Sequence, residues 1–538
     1  MASPQREAET AEEQSAEAPL KNGADGQELP DLDLSHQRTE MARESFGKAF
    51  VQVLLATAIL GGGLYLYWNH VQTQEEVRAI AKKAKERALR DNYQDLVEAR
   101  KLFDQALELD SNHEYVVAAS GLLEARLALD HGLPEHKSKA EAFISQAEGM
   151  DSEKAETFGG RGLLLVLDGK AEQAEKRMDE LIKKGGRAAP IFDALGYAQM
   201  QLGKLKEART AFRNAAESEW KNPRYNASVA NLYFLDEDFR NADSYVKKAL
   251  DTNPEHLYTK VLRARVNIAR GEGTREAKEA IDDVLGRPPE ELSPRIKALA
   301  LVARAELLSF ERKFKQALAA AEESLGSFET PDAHIAKGLV LAAMKKPSAT
   351  EEIKKGLELF PYQPRAYHQG ARALLAAGRA EDALALMDAW GEKLEKDDRF
   401  YIAFGNLLLS KGDKEKAKQN YEKALEIDKG NAEAYYRLGA LMREAKDYDK
   451  AIDYFNKAVA VREHYPEVYE AMGWIYMDQG HYNDALPLFA QALTYYKAQN
   501  ADRKMMRKLI DDVADALKKS KKKSWVKPWR KEAKDLIR

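Results

Sequence analysis

Ten histidines are the first residues to test for chemistry in this 538-residue sequence, and none is placed for it. No two have the His-x-x-x-His spacing that turns a pair of imidazoles toward one metal ion, and no His-Glu-x-x-His segment occurs. The absence of cysteine excludes disulfides, thiolate ligands and a cysteine nucleophile. No Gly-x-Ser-x-Gly elbow presents a serine, and no Gly-rich loop follows a strand to cradle phosphate. Gly61-Gly62-Gly63 sits inside an apolar run, where no phosphate would be held. The sequence therefore predicts no enzyme, no catalytic residue, no metal site and no cofactor. The chemistry left is binding.

Two stretches are built to bind surfaces. Residues 49–68, AFVQVLLATAILGGGLYLYW, are 20 residues without a charge, enough to cross a bilayer as a helix. Tyr65, Tyr67 and Trp68 make an aromatic belt at one edge. The charge flanks disagree on orientation. Arg38, Arg43 and Lys48 lie just before the span and favour a cytoplasmic N-terminus, whereas the wider window of Arg78, Lys82, Lys83, Lys85, Arg87 and Arg90 favours the reverse. We follow the nearer flank. At the other end, residues 518–538 hold ten Lys or Arg against two acids. Lys521, Lys522, Lys523, Trp525, Trp529 and Arg530 are the candidates there for an anionic bilayer or an acidic partner. A plain solubilising terminus is the competing reading. A short helix is expected from Pro528, with Trp529, Ala533, Leu536 and Ile537 on one face. A net charge of −4 argues against nucleic acid as the partner of the whole chain.

The elements between these ends repeat. Blocks starting at Asp398, Ala432 and Pro466 follow one another at 34 residues. Each has an aromatic fourth (Tyr401, Tyr435, Tyr469) and a large apolar residue with Gly at seventh and eighth (Phe404-Gly405, Leu438-Gly439, Met472-Gly473). Ala is twentieth (Ala417, Ala451, Ala485), an aromatic twenty-fourth (Tyr421, Phe455, Phe489) and Ala twenty-seventh (Ala424, Ala458, Ala492). Positions 4, 7, 8 and 11 form a stripe on one helix, and 20, 24 and 27 a stripe on a second. Such a pair cannot bury its apolar face alone, so the blocks must stack. Working back, blocks begin near 364, 331, 298, 257, 223, 189, 155, 114 and 80, the ones near 257 and 331 being weak. Seven-residue insertions fall at Gly286-Arg287-Pro288-Pro289 and His131-Gly132-Leu133-Pro134. Residues 500–518 read as a capping helix, with Met505, Leu509, Val513 and Leu517 on one face.

This pattern resembles the tetratricopeptide repeat (TPR) family. The resemblance implies an all-α fold, a TPR-type α-solenoid (a right-handed superhelix of helix pairs), and residues 49–68 place it behind one N-terminal transmembrane helix. The expected layout is a disordered acidic tail over 1–45, a transmembrane helix over 46–70, and an array of about twelve helical pairs over 71–499. A cap over 500–518 and a basic tail over 519–538 complete it. In that family the first helices line a concave groove that holds proteins or peptides. Carried over by position, the groove residues are Tyr197, Asn231, Phe234, His368, Arg372, Arg399, Asn406, Tyr436, Arg443, Glu470 and Trp474, with Trp474 as the expected anchor. The family's carboxylate clamp is broken here. Asn231 and Asn406 occupy its ninth position, but Ala227 and Ile402 stand where Lys is needed, and Leu262 and Arg437 where the next Asn is needed. The expected role is a non-catalytic membrane scaffold that assembles proteins at a bacterial inner membrane, with the array in the periplasm. The alternative is an organelle-membrane receptor with its repeats in the cytosol.

Overall fold

The computed structural model describes residues 34–393, 397–498 and 503–537, in two compact units that divide between Thr73 and Gln74. The first unit holds the start of α1 (Leu34–Ala88). Side chains 48–70 are all exposed, and this is the one helix among the described residues long and apolar enough to cross a membrane. α1 starts inside the stretch expected to be an unstructured acidic tail, and residues 1–33 of that stretch lie outside the described residues.

The second unit is helical throughout its described residues. The 74–88 part of α1 pairs with α2 (Tyr93–Leu109). Then come α3 (Glu114–His131) with α4 (His136–Gly149), α5 (Ala155–Leu167) with α6 (Ala171–Lys183), and α7 (Ala189–Gln201) with α8 (Leu205–Ser218). They are followed by α9 (Pro223–Leu235) with α10 (Phe239–Thr252), α11 (Leu257–Arg270) with α12 (Thr274–Leu285), and α13 (Pro294–Phe310) with α14 (Phe314–Ser327). Next are α15 (Pro331–Ala343) with α16 (Ala349–Leu359), and α17 (Pro364–Ala376) with α18 (Ala380–Lys393). The periodic end holds α19 (Asp398–Ser410) with α20 (Lys414–Ile427), α21 (Ala432–Glu444) with α22 (Tyr448–Val461), and α23 (Pro466–Asp478) with α24 (Tyr482–Ala498). Finally α25 (Arg503–Lys519) and α26 (Lys523–Leu536) follow. The weak stretches near 257 and 331 are both helix pairs.

Local chemistry sets these boundaries. Pro occupies the first turn of α7, α9, α13, α15, α17 and α23, where its missing N–H costs nothing. Asp413 and Asp447, 34 residues apart, cap α20 and α22 by accepting from the backbone N–H of Lys416 and Lys450. The recurring Gly has one cause. A Cβ on Gly405, Gly439 or Gly473 would sit 2.6, 2.6 and 2.9 Å from the rings of Tyr421, Phe455 and Phe489. The aromatic of each second helix thus lies directly on the backbone of the first.

The C-terminus departs from the expected basic tail. α26 begins at Lys523, five residues before Pro528, and folds back onto α24 and α25. Trp529 is 1% exposed, and its Nε1 donates to the Ile510 carbonyl at 3.0 Å. Ala533 and Ile537 are buried beside it. Trp529 is therefore a core residue and not a surface contact. The last helix pair would otherwise expose its apolar outer face, and Trp529 covers it.

Candidate binding surfaces of the repeat array

The array does more than stack on its neighbours. Between α1 and α2, Asp91 is held in the left-handed region (φ 57°) and buried. Arg224, at the start of α9, donates to Asp91 from Nε at 2.8 Å and pairs with it through Nη2 at 2.7 Å. The Arg224 Nη1 pairs with Asp130, which also accepts from the Tyr197 hydroxyl at 2.6 Å. His256 reaches Asp91 from the far side at 3.2 Å. Next to Asp91, the Asn92 side chain accepts from the Leu257 N–H at 3.0 Å and so caps α11 from 165 residues away. One layer deeper, Arg126 pairs with the fully buried Asp193 at 2.9 Å. Asp91, Asn92, Asp130, Tyr197, Arg224 and His256 line a cavity of about 130 Å³, together with Ser228, Asn231, Tyr258 and Arg295.

Burial sets the ionisation of this cluster. It works against an ionised Asp91, but Arg224, His256 and Arg126 outweigh it and hold the carboxyl far below the usual range. At Asp193 burial prevails over Arg126 and Arg224, and the carboxyl is lifted to about 6. Burial, with Arg224 nearby, lowers His131 to about 4.

The end of α3, where one insertion begins, meets the start of α13, which follows the other insertion. His131 Nδ1 lies 3.0 Å from the Ser293 Oγ, and Arg295 donates to the Leu129 carbonyl at 2.6 Å. A third crossing joins α9–α10 to later pairs. His368 sits 2.6 Å from Glu237, and Arg399 donates to the Asp236 carbonyl at 3.0 Å.

The residues carried over as groove contacts divide accordingly. Phe234 is a correction: it is fully buried, with the guanidinium groups of Arg265 (4.9 Å) and Arg365 (4.2 Å) over its ring, and offers no surface. Tyr197, His368 and Arg399 belong to the crossings just described. Asn231 lines the cavity. Asn406 accepts from the Tyr421 hydroxyl at 2.8 Å, and Glu470 from the Tyr496 hydroxyl at 2.9 Å, so both tie helix to helix. Tyr436 is half-buried against Phe455 and Tyr465. Trp474 is half-buried, edge-on to Phe489 at 4.9 Å, in the core that runs to Trp529. Arg372 is exposed and Arg443 half-exposed, neither with a carboxylate within ion-pair distance among the described residues. At the C-terminus Lys521 and Lys523 are exposed, and Lys522 lies 5.4 Å from the Tyr482 ring. Trp525 packs toward Tyr482, and Arg530 pairs with Asp511 at 2.8 Å.

Repeat positions did not point to Asp91, Arg126, Asp193 or Arg224. A signal existed. Asp193 is the lone charge in PIFDALGYA, and Arg126 sits among the leucines of LLEARLALD; a charge inside so apolar a helix needs a buried partner.

A second concavity lies between the first helices α11, α13, α15 and α17. It measures about 600 Å³, and Ala305, Ala336, Leu339, Val340, Arg365 and Arg372 are among its walls.

Models of the tetratricopeptide repeat match residues 430–498 and 189–219, and a TPR repeat model matches 405–444. No curated protein matches by sequence. Solved structures that resemble the chain include the APC/C hetero-tetramer Cut9–Hcn1, at 14% identity over 75% of this chain and 90% of that one, with a TM-score of 0.36. The human IFIT1 dimer with PPP-AAAA is 17% identical over 71% and 94%, with a TM-score of 0.40. MamA is 21% identical over 28% and 89%, with a TM-score of 0.25.

Proposed function

The chain is built of tetratricopeptide repeats, a protein-interaction scaffold, and from that premise we propose that it is a non-catalytic adaptor anchored in a membrane by residues 49–68. The observation that carries the anchor is exposure. Side chains 48–70 are all exposed, and a continuous apolar surface of that length belongs in lipid. The array then gathers partner proteins at the bilayer, and their raised local concentration supplies much of the effective affinity. The setting we propose is a bacterial inner membrane, with the array in the periplasm serving an envelope assembly for secretion, export or motility. The N-terminal flank of Arg38, Arg43 and Lys48 supports that orientation.

Two measurements test this. A reporter fused after Arg538 that is active only outside the cytoplasm is expected to be active. Activity of a cytoplasmic reporter in its place would instead favour the organelle receptor with cytosolic repeats. A photo-crosslinking residue at Arg443 is expected to trap protein partners in the membrane fraction. If neither it nor crosslinkers elsewhere on the concave face trap any protein, the scaffold reading fails.

A further inference from the structure

We infer that the outward face of the last helix, α26, docks on anionic lipid headgroups and gives the array a second attachment to a bilayer. The inference goes beyond the scaffold reading and rests on it only for the anchor at residues 49–68. It does not depend on which side of the membrane the array occupies.

Positive charge is concentrated at this end of the chain. Residues 518–538 hold ten Lys or Arg against two acids, in a chain whose total is −4. The fold then sorts that charge. Trp529, Ala533 and Ile537 are spent on the core, and Trp525 packs toward Tyr482. On the side of α26 left open, Lys523, Lys527, Lys531 and Lys534 fall within about 80° of one another around the helix axis. All four are exposed, and Lys521 extends the row just before the helix. Glu532 and Asp535 lie outside this stripe, on its flank. None of the five lysines has a carboxylate within ion-pair distance among the described residues.

The residue types select the partner. Arg530 is turned away to Asp511 at 2.8 Å. What faces out is lysine, a compact, strongly hydrated charge without the planar fork that reads a carboxylate. Protein interfaces are anchored by aromatic residues and Arg and are depleted of Lys. Single-stranded nucleic acid would want exposed rings to stack on, and the ring of Trp529 is buried. A bilayer of anionic headgroups asks instead for several diffuse positive charges on one face, with no pocket. Each lysine at such a surface raises association roughly fivefold. A row of five on a chain that is already tethered to the bilayer needs no more, because the anchor keeps the headgroups at high local concentration.

The test uses the full-length chain with Ser524→Cys, an exposed position beside the stripe; the sequence has no other cysteine, so one thiol takes a donor fluorophore. The chain is placed in neutral-detergent micelles that contain either phosphatidylglycerol or phosphatidylcholine, with an acceptor on a trace lipid headgroup. The anchor alone sets the baseline in phosphatidylcholine. Energy transfer is expected to be higher in phosphatidylglycerol, with the docked-to-free ratio raised at least about tenfold. The difference is expected to fade as salt rises from about 0.05 M to about 0.5 M. Lys523→Gln, Lys527→Gln, Lys531→Gln and Lys534→Gln together are expected to remove it and leave helical melting unchanged. If that variant loses its melting transition, the lipid and salt comparisons on the unaltered lysines still decide. Equal transfer in the two lipids, or a difference that survives the four substitutions in a folded chain, overturns the proposal. So does release of α26 by soluble polyglutamate at a carboxylate concentration well below that of the phosphatidylglycerol, which would make the partner an acidic protein. Equal transfer above background removes the attachment and leaves the anchor standing, whereas a phosphatidylcholine baseline without transfer tells against the anchor.

Discussion

The pairs from 74 to 393 and those from 398 to 498 are made of the same unit and are held differently. In the later segment each pair leans mainly on the pairs beside it in sequence, through one repeated contact, an aromatic on a glycine backbone. In the earlier segment the chain also touches itself 131 to 166 residues away, through Asp91, Arg224, His256, the α3–α13 contact and Glu237. Regular sequence is what translational stacking demands, because every interface is the same interface. A contact between pairs so far apart in sequence occurs once, so its residues match no other block. What looks like decay of the repeat is in good part the cost of that closure.

Three substitutions break or sharpen this contrast. The largest effect is expected from Arg224→Ala, which leaves Asp91 and Asp130 buried without their shared cation and costs about 3–5 kcal/mol. Hydrogen exchange should rise both around residues 91–131 and at the start of α11, far apart in sequence, while α21–α24 stay protected. Loss spread evenly over the whole chain would erase the distinction.

The next concerns acid. His131 is neutral in the folded state because burial lowers it from 6.5 to about 4. Its contribution is full above pH 6.5 and is lost as pH falls toward 4, by about 3 kcal/mol at 1.36 kcal/mol per unit. Asp193, raised by burial to about 6, has the opposite sign: its contribution is full below pH 3.8 and is lost as pH rises through about 6. His131→Asn removes only the first. Its unfolding midpoint, compared with the unaltered chain, should therefore improve between pH 7 and pH 4.5. A constant difference across that range would show that the cluster does not exclude the proton.

The smallest effect is expected from Gly439→Ala. The new methyl meets the Phe455 ring and the Ala451 carbonyl, costing about 1–2 kcal/mol after the helix-propensity gain. Exchange should rise in α21 and α22 and their sequence neighbours alone.

This contrast also explains what could be read from the sequence. Helix-pair starts at 398, 432 and 466 follow directly from spacing, as do those at 223, 189 and 155, because intervals and caps are local. The 131–134 and 286–289 insertions are visible as interruptions, but nothing in either shows that the end of α3 meets the start of α13. The sequence points Trp529 to the surface because the basic residues around it dominate the stretch. Its ring in fact serves the core, and the lysines around it face outward. Phe234 failed for a related reason: position along a repeat predicts a concave face but not whether Arg265 and Arg365 already cover it.

The cap that Asn92 places on α11 has a consequence in time. Bringing residues 92 and 257 together closes a loop whose entropy, growing with the logarithm of length, is worth about 4–5 kcal/mol. During synthesis the first pairs emerge well before their closing partner does. Until then Asp91 and Asn92 face water, and the turn is an open coil of pairs. Non-local closure of this kind slows folding relative to neighbour-by-neighbour growth. The later blocks can zip as they appear, whereas the earlier ones must wait for residues 257–295 to leave the ribosome.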